Sequence, residues 1–524
     1  MTVEQGRNPK LARIVDALVL LGALFLFEAP AALEPNRWEI RLLRPSGEAL
    51  LLLLFARAAA RRRARRGVWR ALGGASAVLL VFRVDRAFTI VATRAEPNLW
   101  DQLFLVKHLA VLAVDVFRTG AAGVVLAIGA TVAVAVLGGT WVARNAARAL
   151  VRTTGSSVLP DLLLGAALVV GTWAGARPRE RPLVPWIAPD LVASVRRSVE
   201  LAGGAPSSAG AARPPLPAIA RRPDVAFVFV ESYGRIVAED HGLRPAFTAA
   251  LGALSEELST RGLRTASGFA TAPVSGGRSW LAVASILLGR PIRTETEFRR
   301  AVAGGEARDG LPGLFERAGW DTVLLAPADR ARLGVDRDNP FGYRHYVGLD
   351  DLDYRGAPVG WGVVPDDVSL ARVEGRLLAR ETAPVFFHFH MVSSHTPWLE
   401  VPEGAPPLDV RCEHAPLARL CTGYARSVLF DLRVALDFAA RRADGLVVVL
   451  GDHQPPFLVP REASFDVPVH VVARDPSLLA EFFRRGFSPG VDLPTGDRPV
   501  RAEDLGALVV RAVVRARASA SASR

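Results

Sequence analysis

The chain has 524 residues, of which 50% are hydrophobic, and its formal net charge is +12 at pH 7. A mean hydropathy of +0.24 is high for a purely soluble protein, and the apolar residues concentrate before about Gly175. Two cysteines exclude a disulfide framework and a zinc ribbon built on paired CxxC motifs. The densest basic run, residues 61–66, directly follows an apolar stretch, which indicates a membrane topology signal and not a nucleic-acid patch.

Apolar segments in the first third of the chain predict a polytopic membrane domain of about five spans over residues 1–175. A helix needs about 20 residues to cross the hydrocarbon core of a bilayer. The segments are about Ile14–Leu33, Ala49–Ala60 with its flanks, Leu72–Ala92, Ala121–Val142 and Val158–Ala174. The third contains Arg83, Asp85 and Arg86, which either pair near one membrane face or form a polar lining for a lipid head group.

Basic residues set the expected orientation of these spans. They concentrate in the N-terminal tail, in the loop after the second segment and in the loop after the fourth, which the positive-inside rule places in the cytoplasm. Five spans then put everything after Gly175 outside. Because the arginine- and alanine-rich composition is typical of a GC-rich bacterial genome, we expect a multi-pass protein of a bacterial inner membrane. We expect its N-terminus in the cytoplasm and the domain that follows the last span in the periplasm or outside the cell.

The pattern changes after the last apolar segment. Residues 176–222 predict a juxtamembrane surface helix, about Leu191–Leu201, and a linker rich in Pro, Gly and Ala. Residues 223–515 alternate short apolar runs with longer helical ones, which predicts an α/β domain with a mostly parallel sheet between helices. Residues 516–524 are predicted to be a disordered tail. The predicted strands are Val225–Val230, Thr322–Leu325, Val385–Phe389, Gly445–Leu450 and Val467–Val472. The predicted helices include Arg244–Arg261, Ser279–Leu288, Asp366–Glu381 and Ala425–Arg442.

Chemistry-bearing residues follow three of the predicted strands. Ligands of open α/β sheets bind beyond the carboxyl ends of the strands. Glu231 follows the first predicted strand, Asp452 and His453 follow the fourth, and the third leads to His390 and then His395. Carboxylates and imidazoles converging at one sheet edge suit Zn²⁺ or Mn²⁺. His395 is the better active-site candidate of the last two, because His390 is equally compatible with a packed strand histidine.

A Gly-Gly turn precedes the helix predicted at Ser279–Leu288. Such a turn lets the backbone approach an anion, and the helix N-terminus offers free N–H groups. Ser279 is either the helix N-cap or a nucleophile whose pKa is lowered by a metal. The metal-type residues at the strand ends favour the nucleophile, with Ser275 as the second candidate. Arg278 is placed to hold phosphate oxygens.

The order of these motifs resembles the alkaline phosphatase/sulfatase superfamily. The motifs are Glu-Ser-Tyr-Gly at 231–234, Gly-Gly-Arg-Ser at 276–279, Ser-His-Thr-Pro at 394–397 and Gly-Asp-His at 451–453. Within the superfamily, the chain is most similar to membrane-bound lipoteichoic acid synthases and phosphoethanolamine transferases, which also have five N-terminal spans and an extracytoplasmic catalytic domain. The resemblance implies one Zn²⁺ or Mn²⁺ held by Glu231, Ser279, Asp452 and His453. It makes His395 a substrate-side or second-metal histidine.

Three departures from the superfamily's patterns narrow the expected reaction and metal content. Ser279 stands where the family nucleophile is usually Thr. Neither Ser279 nor Ser275 is followed by the x-Pro-x-Arg pattern of formylglycine sulfatases. A complete second-metal ligand set is also not evident after His453, which argues against a two-metal phosphatase mechanism.

The resemblance implies a transferase that moves a phosphoglycerol- or phosphoethanolamine-type head group from a membrane phospholipid to a cell-envelope glycan or lipid, through a covalent Ser279 intermediate. With water as the acceptor, the same site would be a sulfatase-like or phosphodiesterase hydrolase. Trp361 and Asp366 precede a predicted helix and are expected to line the head-group pocket, although a structural tryptophan fits equally. Cys412 and Cys421 either form a disulfide or remain thiols.

Overall fold

The computed structural model describes residues 9–25, 46–102, 121–155, 157–173, 187–203, 216–217, 222–329, 339–357, 359, 364–378, 383–413, 418–442, 444–460, 462–494 and 498–522. The chain divides into two compact units. One contains Met1–Val91 with Ala95–Gly203, and the other contains Ala92–Arg94 with Gly204–Arg524.

The first unit is helical. Its helices are α1 (Pro9–Phe25), α2 (Gly47–Arg61), α3 (Arg66–Thr93), α4 (Ala121–Thr154), α5 (Leu159–Trp173) and α6 (Ala188–Gly203). Helices α1, α2 and α4 pack on one another, and α2 also packs on α5. Each apolar segment predicted from the sequence overlaps one of α1 to α5, and α6 contains the predicted juxtamembrane helix.

Buried charges of the first unit are satisfied between helices. The guanidinium of Arg57 in α2 is fully buried, and its Nε lies 3.0 Å from Asp161 Oδ1 in α5. In α3, Asp85 accepts a hydrogen bond from Gln102 at 2.9 Å. Arg86 lies 3.1 Å from Glu96. Asp85 and Arg86 of the third apolar segment thus contact polar side chains from outside α3.

No single helix in the described part of the chain combines the length and the apolar composition needed to cross a membrane. Two segments, Ala133–Thr154 and Leu159–Val170, meet that criterion only together, as a pair bent by 119°.

The second unit is built on one mixed sheet. Its strands are β1 (Val225–Val230), β2 (Arg264–Thr271), β3 (Asp321–Ala326), β4 (His345–Gly348), β5 (Val385–His390), β6 (Leu446–Gly451), β7 (Asp466–Ala473), β8 (Ser488–Pro489) and β9 (Val500–Arg501). Their order is β4-β3-β5-β1-β6-β7-β2-β8, and β9 also pairs with β2. The strands from β4 to β6 in this order are parallel, whereas β7 is antiparallel to both β6 and β2. The predicted α/β class is confirmed.

Helices cover both faces of the sheet, which explains the continuous apolar runs of its central strands. The helices are α7 (Ile236–Glu239), α8 (Arg244–Thr260), α9 (Ser279–Leu288), α10 (Glu295–Ala303), α11 (Leu311–Arg317), α12 (Asp366–Val373), α13 (Ala418–Arg441), α14 (Ala480–Phe483) and α15 (Leu505–Ala522). Alternate residues of β1 point to opposite faces, so that Phe227 packs with Leu281 of α9, whereas Val228 packs in the cluster that contains Leu432 of α13.

Several sequence predictions are corrected by this fold. Strand β2 was missed because its sequence, Arg-Thr-Ala-Ser-Gly-Phe-Ala-Thr, lacks a continuous apolar run. The helix predicted over Asp366–Glu381 ends earlier, at Val373, and continues as a π-helical turn to Leu378. The predicted tail is helical as far as Ala522, consistent with the high helix propensity of its alanines. Cys412 and Cys421 form a disulfide with a Cα–Cα distance of 5.6 Å.

A buried histidine joins three parts of the second unit. His470 in β7 has no solvent exposure. Its Nδ1 lies 2.8 Å from the Ser267 hydroxyl, which itself donates to the Gly490 carbonyl, so Nδ1 is the protonated nitrogen. Its Nε2 accepts from the Tyr233 hydroxyl at 3.1 Å. Burial lowers the pKa of His470 to about 3, so the ring stays neutral in the folded protein.

We expect His470 to reduce stability in acid. Because its folded pKa of about 3 lies below the ordinary 6.5, its contribution is full above about pH 6.5 and is lost as pH falls toward 3. The unfolded chain gains the proton, so stability falls by up to about 1.4 kcal/mol per pH unit. His470→Gln should flatten this acid limb in thermal unfolding of the full chain. The exposed His241→Gln serves as the control, and an unchanged acid limb in His470→Gln would contradict the assignment.

Candidate metal centre and active site

Strand pairing brings the predicted site residues together. β1 lies between β5 and β6, with Val230 opposite Gly451 and Phe229 opposite His390. Glu231 and Asp452 therefore leave adjacent strands at the same edge of the sheet, the edge where open α/β sheets bind ligands.

The turn after β1 is held in an unusual conformation. Ser232 adopts a φ of 60°, in the left-handed region that non-glycine residues rarely occupy. Its backbone N–H donates to Asp452 Oδ1 at 2.8 Å, and its hydroxyl donates to Glu231 Oε1 at 3.0 Å. The Tyr424 hydroxyl donates to its carbonyl oxygen at 3.0 Å. These bonds hold the strained residue in place and orient both carboxylates.

The loops after β1 and β6 lie in direct backbone contact. A Cβ atom added to Gly451 would stand 1.8 Å from the carbonyl oxygen of Tyr233. Only glycine therefore allows the loop carrying Asp452 to lie this close to the loop carrying Glu231.

Ser279 is the first residue of α9, after two glycines with φ values of 63° and 59°. The N-cap residue is Arg278, so the alternative that Ser279 caps the helix is wrong. Instead, the Ser279 hydroxyl donates to Glu231 Oε2 at 2.9 Å and lies 3.2 Å from His453 Nε2. The hydroxyl is thus directed into the cluster of acidic and imidazole groups.

His453 is oriented by the residue that follows it. Its Nδ1 lies 3.0 Å from the Gln454 carbonyl oxygen, which can only accept a hydrogen bond. The Nε2 lone pair is therefore free for a ligand, and Nε2 lies 3.4 Å from Glu231 Oε1 and 3.5 Å from Asp452 Oδ2.

These distances fit a tetrahedral cation. Ligand atoms about 2.0–2.1 Å from a tetrahedral Zn²⁺ stand about 3.3 Å from one another. Four separations in this cluster run from 2.9 to 3.5 Å, namely Ser279 Oγ to Glu231 Oε2, and His453 Nε2 to Ser279 Oγ, to Glu231 Oε1 and to Asp452 Oδ2. Asp452 Oδ2 is buried without a hydrogen-bond partner in the described part of the chain, as expected of an atom reserved for a cation.

His390 stands next to this set, on its more open side. Its Nε2 also lacks a hydrogen-bond partner among the described residues. It lies 3.8 Å from Glu231 Oε2 and 4.0 Å from Asp452 Oδ2, and these three ligand atoms fall within 4.8 Å of one another. Glu231, Asp452 and His390 could therefore hold a divalent cation, and the set Glu231, Ser279, Asp452 and His453 implied by the family resemblance stays a prediction.

The site concentrates negative charge. Burial raises the pKa of Asp452 to about 7, and the adjacent Glu231 carboxylate reinforces that shift. For Glu231, burial acts in the same direction, but interactions with the neighbouring His453, His390 and His395 imidazoles outweigh it and hold its pKa well below the ordinary range. A bound dication would compensate both carboxylates.

The remaining predicted residues are distributed differently. His395 is half-buried, near enough for its charge to affect Glu231, and its Nδ1 lies 2.6 Å from the Thr396 carbonyl. Ser275 is buried and directly precedes the Gly-Gly turn. Of the two candidate serines, Ser279 is the one that contacts Glu231 and His453. Trp361 lies outside the described residues.

Asp366 does not line an open pocket. Its side chain is fully buried, and its Oδ2 accepts hydrogen bonds from the backbone N–H groups of Val392 and Ser393 at 2.8 and 2.6 Å. The prediction that Asp366 lines the head-group pocket is therefore wrong. A carboxylate near the start of a helix can point either to an open pocket or into the core, and the sequence does not distinguish the two.

Sequence reasoning also missed residues that orient the site. Ser232 and Tyr424 fix the turn after β1, and the Ser394 hydroxyl donates to the Glu231 carbonyl at 2.7 Å. Asp431 is buried in the middle of α13 and accepts from the Ser394 N–H at 3.0 Å. Only Asp431 has a sequence signal, because it interrupts the apolar face of a helix.

No family model and no curated protein sequence matches the chain. Solved structures similar to it include the lipoteichoic acid synthase LtaP of Listeria monocytogenes, at 14% identity over 58% of this chain and 72% of that chain, with a TM-score of 0.38. The phosphoglycerol transferase GacH of Streptococcus pyogenes is 13% identical over 57% and 77%, with a TM-score of 0.39. The soluble domain of lipooligosaccharide phosphoethanolamine transferase A of Neisseria meningitidis is 13% identical over 56% and 88%, with a TM-score of 0.38.

We expect the purified full chain to bind one divalent cation through Glu231, Ser279, Asp452 and His453. His453→Asn should lower bound Zn²⁺ or Mn²⁺, measured by plasma mass spectrometry after dialysis, at least about tenfold, because one coordinating nitrogen is lost. His345→Asn is the matched control, since His345 contacts Asp321 in another part of the unit. Equal metal content in the two variants would contradict the ligand assignment.

Proposed function

We propose that the chain is a membrane-anchored phosphotransferase that moves a phosphoglycerol- or phosphoethanolamine-type head group from a phospholipid to a cell-envelope glycan or lipid. The observation that carries this proposal is the Ser279 hydroxyl. Ser279 is the first residue of a buried helix. Its hydroxyl donates to Glu231 at 2.9 Å and lies 3.2 Å from His453, so it contacts groups that suit a metal and does not cap the helix. A hydroxyl in this setting is suited to nucleophilic catalysis.

The residues around Ser279 have distinct proposed roles. Zn²⁺ or Mn²⁺ held by Glu231, Ser279, Asp452 and His453 would supply a lowered hydroxyl pKa and positive charge for phosphate oxygens. The Ser279 oxygen attacks the head-group phosphorus, the bond from phosphorus to the diacylglycerol oxygen breaks, and a phosphodiester to Ser279 remains.

The second half-reaction needs an acceptor and a proton carrier. An acceptor hydroxyl attacks the phospho-Ser279 phosphorus, and the Ser279 oxygen leaves. His395 is proposed to donate a proton to the departing diacylglycerol oxygen in the first half-reaction. In the second, it removes a proton from the acceptor hydroxyl. Its half-buried position near Glu231 supports this role. Arg278, directly before the nucleophile, and Trp361 are proposed to bind the head group.

A hydrolase is the second candidate. The same residues would release the head group if water replaced the acceptor hydroxyl, giving a sulfatase-like or phosphodiesterase activity.

The membrane anchor is also part of the proposal. Large apolar side chains are more than 60% exposed on four helices of the first unit, at Leu18, Val78, Val134 and Leu162. Val192, Val195 and Val199 form an exposed apolar stripe on α6, as in a helix lying at a membrane surface. In the described part of the second unit, by contrast, the exposed large apolar side chains are Val302, Leu399 and Phe483. Extended exposed apolar surface of the first kind suits contact with lipid.

We expect incubation with labelled phosphatidylglycerol or phosphatidylethanolamine to leave a head-group phosphodiester on Ser279, detectable by mass spectrometry of the peptide. Ser279→Ala should abolish the adduct and lower diacylglycerol release at least about a thousandfold, because the nucleophile is removed. Ser275→Ala is the control and should keep both. An adduct on Ser275 would move the nucleophile, and head-group release without transfer to added glycan would favour the hydrolase.

The proposed five-span topology predicts opposite labelling of two engineered cysteines. The native cysteines form a disulfide, so background reaction with a maleimide is low. In spheroplasts, Glu400→Cys should react with a membrane-impermeant maleimide, whereas Gly67→Cys, in the arginine-rich loop region, should react only after permeabilisation. Gly67 is an open position, with nothing within 4 Å of an added Cβ. Labelling of both in intact spheroplasts would refute this topology.

A further inference from the structure

Two buried carboxyl groups hold three consecutive peptide N–H groups beside the active site. Asp366 Oδ2 accepts from the N–H groups of Val392 and Ser393 at 2.8 and 2.6 Å. Asp431 Oδ2 accepts from the N–H of Ser394 at 3.0 Å. The two acids come from different helices, α12 and α13, so the loop is bound from two directions.

The two carboxyl groups also lie near each other, because the N–H groups from which they accept belong to consecutive residues. Both side chains are fully buried, and the second oxygen of each, Oδ1, has no hydrogen-bond partner in the described part of the chain. Two carboxylates in this position would repel strongly, whereas one shared proton converts the contact into a hydrogen bond. Burial raises the pKa of Asp366 to about 6, and burial together with the Asp366 charge raises that of Asp431 well above its ordinary range.

The loop held by this pair leads into the active site. The Ser394 hydroxyl donates to the Glu231 carbonyl at 2.7 Å, and the indole of Trp398 donates to the Ser394 carbonyl at 2.6 Å. His395 is the next residue, so these bonds fix the residue that leads into it.

Asp431 is an acidic residue on the apolar, buried face of its helix. It lies on the buried face of α13 between Val428 and Leu432, both fully buried. Burying an acid among apolar side chains is unfavourable unless its hydrogen bonds are satisfied. In the described part of the chain, the Ser394 N–H satisfies Asp431 Oδ2, whereas Asp431 Oδ1 has no hydrogen-bond partner.

We propose that Asp366 and Asp431 form an acid–carboxylate pair that shares one proton and positions the Val392–His395 loop, and with it His395, for head-group transfer. Both are positioning residues, because neither reaches the reacting atoms. This inference rests on the proposed function for its catalytic consequence, whereas the pair itself can be tested without catalysis.

The decisive comparison is between two substitutions at one position. In Asp431→Asn, the amide can accept from Ser394 and donate to Asp366, as the neutral acid does. In Asp431→Ala, the Ser394 N–H and the Asp366 carboxylate lose their partner. The exposed neighbour Asp367→Asn is the matched control.

Hydrogen exchange followed by mass spectrometry on the full chain tests the pair. We expect the amides of residues 392–394 to exchange at least about tenfold faster in Asp431→Ala, because a lost buried hydrogen bond is worth about 1–3 kcal/mol. Asp431→Asn and Asp367→Asn should remain at the wild-type rate. Wild-type exchange in Asp431→Ala, or equally fast exchange in Asp431→Asn, would overturn the shared-proton pair.

Diacylglycerol release from phosphatidylglycerol and phosphatidylethanolamine vesicles tests the catalytic consequence. The kcat of Asp431→Ala should fall at least about tenfold while bound metal stays at the wild-type level, and Asp431→Asn should restore it to within about threefold. Unchanged kcat in Asp431→Ala would overturn the positioning role. An inactive wild-type protein would instead refute the proposed function, and the exchange rates would still decide the pair.

Discussion

Mutual repulsion between two buried carboxylates is the constraint that shapes the second unit. Glu231 and Asp452 leave adjacent parallel strands and are almost completely removed from solvent. Like charges at this separation interact strongly where water is excluded. The protein places three imidazoles beside Glu231, and Asp452 Oδ2 has no hydrogen-bond partner in the described part of the chain, an arrangement that a cation would complete.

Much of the surrounding structure serves to hold this unfavourable cluster together. Ser232 occupies a left-handed conformation because its N–H and hydroxyl are needed by Asp452 and Glu231. Gly451 lets the two carboxylate-bearing loops touch. Such features cost conformational energy, which the apolar packing on both faces of the sheet offsets. The site is therefore a local departure from favourable backbone geometry supported by a well-packed core.

The parts of the fold that were predictable from sequence are those in which one physical effect dominates. Strand β1 is six consecutive apolar residues, and burial on both faces leaves no other arrangement for them. The same logic predicted Glu231 and Asp452 as site residues, because polar side chains directly after buried strands meet at one edge. The sequence favours Ser279 as a nucleophile only in combination with those acids, and the structure brings its hydroxyl to Glu231.

Other features depend on contacts between distant segments. Strand β2 lies between strands that follow it by many residues, and its own sequence lacks a strong strand pattern. The role of Asp366 is set by its proximity to Val392 and Asp431, which no local pattern encodes. The pairing of Cys412 with Cys421 was likewise open until the start of α13 was placed beside the preceding loop.

The register of the central strands links cation binding to the assembly of the whole second unit. Glu231, Ser279 and Asp452 are separated by long stretches of sequence, so an unfolded chain offers no comparable site. A cation that binds only the folded form adds its binding free energy to stability. A one-residue slip of β5 against β1 would exchange the faces of Phe389 and His390, and a slip of β6 would displace Asp452. A bound cation would thus stabilise the native strand register relative to registers shifted by one residue, and so favour correct folding in addition to its proposed chemical role.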